Sequence, residues 1–220
     1  MNKVDQQIGT SQDYGRTEYA YYLMAKKAGI TMSECRLLEE NGRAHFMTKR
    51  FDRESGNIKH HMQTLCAMNH IDYKLKGTNS YEQLFMTIRE LSLGHEAEVE
   101  TFRRMVFNVM ARNCDDHTKN FSFLLRQGEA WELAPAYDIT FAYDLNNKWI
   151  NQHLMSVNGK YLGFSVEDMF AVAERFGIGE AKVVINKIRD VIKLWPSFAK
   201  KAGVDQKEID RIGKLHLLLE

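Results

Sequence analysis

The sequence predicts a mainly α fold with small β-hairpins (α+β), and three observations predict it. Only two prolines, Pro135 and Pro196, interrupt 220 residues, so most of the chain is free to be helical. Apolar residues recur at three- and four-residue spacing through much of the chain. Hairpin signals are confined to two short stretches bounded by turn residues. Composition agrees: 44% hydrophobic and 27% charged residues exclude a disordered chain. With 30 Lys+Arg against 29 Asp+Glu, the net charge of +1 leaves no electrostatic footprint for direct nucleic-acid binding.

The first helix is expected near residues 16–28, from Ala20, Leu23, Met24 and Ala28, with Gly29 as its stop. Next, 36–38 and 44–51 flank Asn41-Gly42, a two-residue hairpin signal. Ser80 and Gln83 make a capping box ahead of Leu84, Phe85, Ile88 and Leu91. Val99, Phe102, Val106, Val109 and Met110 place a long helix at about 97–112, and a hairpin follows, 121–125 with 131–133, turning near Gly128. Ser165 with Asp168 opens a helix that stops at Gly177. Val184, Ile188, Val191, Ile192 and Trp195 stripe another, expected to end near Pro196, and Asp205 with Glu208 caps a last one. No repeat, low-complexity tract or linker is visible.

No apolar run approaches the roughly 18 residues that a membrane span needs. Residues 1–14 are polar and lack a signal-peptide core. Cys35, Cys66 and Cys114 are odd in number and scattered, which argues against a disulfide framework. A cytoplasmic protein is expected. Cys66 reads as a core residue, Tyr19, Tyr21 and Tyr22 as helix packing, and His60, His61 and His95 as surface residues.

The chemistry concentrates between residues 113 and 138. Asn113-Cys114-Asp115-Asp116-His117-Thr118-Lys119-Asn120 follows the long helix, where a loop is expected. Asp115 and Asn120 have the D-x-x-x-x-N spacing of a kinase catalytic loop, a pattern that alone is common by chance. One strand of the following hairpin leaves from Asn120 and its partner returns at Ala134-Pro135, bringing Asp138 back to the same end. Two acids and an amide meeting there would raise each other's pKa unless a cation intervened. One carboxylate and one amide oxygen, completed by phosphate oxygens, suit Mg²⁺, and the remaining acid, Asp115, could then accept a hydroxyl proton. For an arbitrary chain Asp115-Asp116 would be a solvated turn. A transition-metal site at Cys114, Asp115 and His117 lacks the usual ligand spacing.

The longer string Asn113-x-Asp115-Asp116-His117-x-Lys119-Asn120-Phe121-Ser122, followed by Leu133-Ala134-Pro135-Ala136-Tyr137-Asp138, is far more specific. It resembles the C-terminal part of the HipA family of bacterial toxin kinases. Thr17-Glu18-Tyr19, Lys49-Arg50-Phe51-Asp52-Arg53, Gln63 and His153-x-Met155-Ser156-Val157-Asn158-Gly159-Lys160 extend the resemblance to about residues 11–215. It implies a protein-kinase-like large lobe at 56–220 and a remnant of the small lobe, helix plus hinge hairpin, at 1–55. By motif, Asp115 resembles the catalytic base, and Asn120 and Asp138 the magnesium ligands. His117 and Lys119 either hold the loop or face the phosphates. The Lys49, Arg50 and Phe51 backbone, the Asp52 side chain and Gln63 match nucleotide contacts. Glu18 matches the partner of a small-lobe lysine.

The resemblance further implies ATP and Mg²⁺ as cofactors, and a serine/threonine kinase acting as the toxin of a toxin–antitoxin pair. Its expected substrate is a protein of translation, such as an aminoacyl-tRNA synthetase, and its expected partner a helix-turn-helix antitoxin. About 15 residues precede the first helix, and they hold no glycine-rich loop followed by a lysine strand; Gly9, Gly15 and Lys3 stand alone. A fragment, a split kinase completed by a separate small-lobe chain, and an inactive kinase-like binding module all follow from that departure, in that order.

Overall fold

The computed structural model describes residues 14–219 of the chain. Gly9, Lys3 and the rest of residues 1–13 lie outside them. The first helix, α1 (Tyr14–Ala28), buries Ala20, Met24 and Ala28 as its stripe requires, and ends where Gly29 takes φ +93°. Tyr21 is fully buried and donates its hydroxyl to the Ala111 carbonyl at 2.6 Å, while the Tyr22 ring packs near Phe46. These tyrosines are packing residues.

Strands β1 (Cys35–Glu40) and β2 (Arg43–Thr48) form an antiparallel hairpin in register Cys35 with Thr48 through Glu40 with Arg43. Asn41 and Gly42 both have positive φ, 49° and 75°, as a type I′ turn demands. Pairing stops at Thr48 rather than Phe51, because the Lys49 N–H turns to the Glu34 carbonyl, 2.9 Å away.

The second sheet has three strands, β3 (His61–Thr64), β4 (Ser122–Leu125) and β5 (Trp131–Leu133), in that order and antiparallel. The sequence indicated only the β4–β5 hairpin. The short run of β3 has no clear alternation, and its partner lies far away in the chain. A short helix α2 (Leu65–Met68) follows it directly.

The body is helical: α3 (Tyr81–Glu90), α4 (His95–Met110), α5 (Val166–Phe176), α6 (Ala181–Lys193), α7 (Trp195–Ala202) and α8 (Gln206–Leu215). The Ser80–Gln83 capping box is made in both directions, and Gly177 closes α5 in the left-handed region. Central α4 packs against α3, α5 and α6, whereas α1 packs against α6, α7 and the first hairpin. Helix α6 ends at Lys193, close to Pro196 as expected, but Trp195 falls outside its stripe and Pro196 opens a separate helix, α7, where its missing N–H costs nothing in a first turn. Cys66 is not core. It is half-buried at the start of α2 and donates its thiol to the Ile71 carbonyl, whereas Cys35 and Cys114 are buried. No helix among the described residues is long and apolar enough to cross a membrane.

Candidate active site

The long helix α4 delivers the chain to Asn113, and the loop 113–120 runs from there to β4. Within this loop the Asn120 Nδ2 donates to the Asp115 carbonyl at 2.9 Å. That bond commits the amide nitrogen and leaves the Asn120 Oδ1 outside it. Asp138 returns to the same place after β5. It sits at φ +56°, a left-handed conformation unfavourable for a residue with a Cβ, and such strain is typical of positions held for function.

The approach to Asp138 is clamped from three sides. Arg104 on α4, itself buried, donates to the Ala134 carbonyl at 3.0 Å. The Ala136 N–H donates to Thr31, and the Tyr137 hydroxyl donates to the Lys119 carbonyl at 2.6 Å. Asp116, Asn120, Tyr137 and Asp138 thereby line one narrow cleft. Asp115 stands at its edge. Burial raises the Asp115 pKa, His117 opposes the rise, and the carboxylates of Asp138 and Asp116 add to it. Its Oδ1 lies 3.8 Å from the His117 Nε2.

Glu18 approaches from α1. Burial first, and then the Asp138 charge, push its pKa up to about 7. No ion pair among the described residues involves it. A cluster of acids, among them Asp115 and Glu18 with raised pKa, with an amide oxygen beside them, fits a divalent cation. Among the described residues no three His, Cys, Asp or Glu side chains could enclose a metal, so further ligands would come from phosphate. Cys114 is buried, and no Cys114–Asp115–His117 metal cluster forms.

The hinge residues divide. Phe51 lies against Tyr137 with ring centroids 5.7 Å apart, which joins the hinge to the segment carrying Asp138. Asp52 is buried, and Arg50 grips it at 2.8 and 2.6 Å, with Arg53 at 3.5 Å; these cations hold its carboxyl below the usual range. Lys49 is exposed with its N–H committed to Glu34, and Gln63 lies half-buried on β3 opposite Phe123.

Comparison with known proteins gives the arrangement a context. The profile of the HipA-like C-terminal domain family matches residues 2–212. The chain belongs to that family. A Haemophilus influenzae protein named "Putative kinase" is 26% identical over 207 residues, covering 80% of this chain and 60% of its own length. "Putative kinase Y4mE" of Sinorhizobium fredii is 28% identical over 204 residues, covering 86% and 42%. The chain thus spans about half the length of these relatives. Among solved structures, HipA in the Shewanella oneidensis HipA, HipB and operator DNA complex superposes with a TM-score of 0.69 at 15% identity, over 94% of this chain and 55% of that one. The Helicobacter pylori proinflammatory kinase CtkA superposes at 0.54 and 15% identity, over 94% and 87%. Both likenesses support a kinase-like fold.

Two features of this HipA-like site escaped the sequence. The first is a buried network around Asp116, which has no exposure. Its Oδ2 accepts from the Tyr81 hydroxyl at 2.8 Å and from the His153 Nδ1 at 2.7 Å, and its Oδ1 accepts from the Leu154 N–H at 2.8 Å. Asn108 and Asn113 extend the chain of bonds back to α4. Burial alone would lower the His153 pKa, but the Asp116 charge and hydrogen bond outweigh it and hold the pKa at about 10. Segment 153–160 is therefore a strap for the 113–120 loop. Its Asn158 and Lys160 side chains bond Asp168 at the start of α5.

The second feature is Tyr73. The Lys119 ammonium lies 3.4 Å from its ring centroid, and His117 meets the same ring edge-on at 5.8 Å. Nothing in the run Asp72-Tyr73-Lys74 signals that contact.

Proposed function

We propose that the chain is the phosphate-transferring part of a HipA-like serine/threonine kinase that uses ATP and Mg²⁺. The observation that carries this reading is the Asn120–Asp115 hydrogen bond beside a left-handed Asp138, which gathers two ligand oxygens and a raised carboxyl at one cleft. In this reading Asn120 Oδ1 and Asp138 hold the cation, which when bound neutralises charge on the phosphate oxygens. Asp115 accepts the proton of a serine or threonine hydroxyl as its oxygen bonds the γ-phosphorus and ADP departs. His117 and Lys119 face the transferred group. The Lys49 carbonyl and the backbone of Arg50 and Phe51 take the adenine, Asp52 the ribose, Gln63 lies on the nucleotide side, and Glu18 orients a small-lobe lysine. Residues 1–55 then act as the small-lobe remnant and 56–220 as the large lobe.

Membership of the HipA-like family, and the HipB of the Shewanella complex, support a cytoplasmic toxin–antitoxin role. The antitoxin would be a helix-turn-helix protein and the substrate a protein of translation, such as an aminoacyl-tRNA synthetase. The Arg50–Asp52 pairing favours a second reading, an inactive binding module, since it engages both oxygens of the carboxylate expected at the ribose.

Calorimetry with a non-hydrolysable ATP analogue separates the two. The expected result is binding that strengthens with Mg²⁺, and an Asp138→Asn protein that folds normally but has lost that dependence. Identical behaviour of wild type and variant would overturn the role of Asp138. Absence of any nucleotide binding favours the binding module. With a glycine-rich loop and lysine strand supplied in trans, labelled phosphate should reach substrate, and Asp115→Ala should abolish the transfer.

A further inference from the structure

Beside the catalytic loop lies a surface that the proposed chemistry does not use. Residues 144–150 form a closed loop, with the Asp144 N–H on the Ile150 carbonyl and the Ile150 N–H on that of Asn147. This loop holds Trp149 47% exposed and Leu145 72% exposed. The neighbouring loop brings Leu75, 56% exposed, and sets the Lys76 ammonium 5.1 Å from the Trp149 ring centroid. Lys148 lies 5.5 Å from the same centroid. Lys74, Lys76 and Lys148 form no ion pair among the described residues, while Asp72 and Asp144 each accept a backbone N–H.

Large apolar groups cost free energy in water, and a cluster of them rimmed by unpaired like charges marks a contact surface. The position fits one as well. The loop that carries Leu75 and Lys76 also carries Tyr73, against Lys119 and His117, so this surface continues into the catalytic loop. Two unpaired ammonium groups at an aromatic ring call for carboxylates together with an apolar or aromatic side chain.

Resting on the kinase reading above, we infer that the Trp149 surface docks an acidic stretch of the protein substrate that carries an aromatic or aliphatic residue. Trp149 and Leu145 bury that residue, and Lys76 and Lys148 pair the flanking carboxylates. Docking there holds the substrate chain beside Asp115 without contributing to proton transfer.

The test uses the whole chain and a fluorescently labelled random copolymer of glutamate and tyrosine, followed by anisotropy. Saturable binding that weakens with salt is expected. Trp149→Ala and the double variant Lys76→Glu/Lys148→Glu should each weaken it at least about tenfold, with thermal midpoints near wild type. Equal affinity in all three proteins overturns the proposal. So does tighter binding of a single-stranded RNA of matched charge, or self-association of the wild type that Trp149→Ala abolishes. Magnesium-dependent nucleotide binding without copolymer binding overturns the platform and leaves the kinase reading standing. Copolymer binding lost in the variants, with no nucleotide binding, supports the platform and removes the kinase reading.

Discussion

Asp115 and Asp116 are adjacent, yet opposite environments assign them opposite work. Asp115 stands half-exposed with a raised pKa and one distant histidine, which suits a group that must take up a proton. Asp116 accepts three hydrogen bonds without exposure and faces His153. That buried pair makes stability depend on pH. The His153 pKa rises from an ordinary 6.5 to about 10, so the folded state binds the proton more tightly. The stabilisation is complete below pH 6.5 and disappears as pH climbs toward 10. Urea unfolding should show stability falling across that window. His153→Gln should flatten the fall and cost about 3–5 kcal/mol at neutral pH, since it leaves a buried carboxylate without its cation. A wild-type curve as flat as the variant's would refute the pairing. Asp115, Asn120 and Asp138 were legible in the sequence because a short hairpin returns the chain to its own start. His153, 37 residues from Asp116, and Tyr73 were not, since only tertiary packing brings them in.

At the scale of elements, α1 links the first hairpin to the helical body. Gly15 makes this possible: a Cβ there would run into the Ala44 carbonyl of β2. The sequence presented Gly15 as an isolated glycine, because close approach of two backbones leaves no mark in spacing. Gly15→Ala should therefore destabilise the protein by about 1–3 kcal/mol, although alanine is the better helix former by ~1 kcal/mol. A more stable variant in thermal unfolding would show that the hairpin yields freely. The same helix carries Glu18, whose pKa of about 7 lies above its ordinary 4.5. This shift has the opposite consequence to the usual carboxylate case: stability is lost as pH rises from 4.5 to 7, because the folded chain must then ionise a shielded group. Glu18→Gln should raise stability at pH 8 by about 1–3 kcal/mol and leave it unchanged near pH 4, as measured by denaturant titration. Helices opened by capping boxes were legible because their hydrogen bonds are local. The strand β3 and the helix α7 were not, one depending on a distant partner and the other on a proline with two permitted meanings.

Across the whole molecule, the site is assembled where the α1–hairpin portion meets the helical body, through Phe51 on Tyr137 and Glu18 within the electrostatic reach of Asp138. Asp116 lies at the centre of the body. Tyr81 opens α3, Asn108 belongs to α4, and Leu154 belongs to the strap; the Tyr81 N–H in turn donates to Ser156, and the Ser156 N–H to Asn79. The amide N–H groups of Tyr81, Leu154 and Ser156 each make a hydrogen bond with one end in the strap. Their exchange for deuterium should wait on one opening that releases the strap from α3 and from the 113–120 loop. In native-state exchange the amides of Tyr81, Leu154 and Ser156 should report one shared opening free energy, and Asp116→Asn should lower all three by the same amount. Divergent values would mean that the strap opens piecemeal. A shared value would make these three protons a timer for the working loop, readable without substrate, nucleotide or metal.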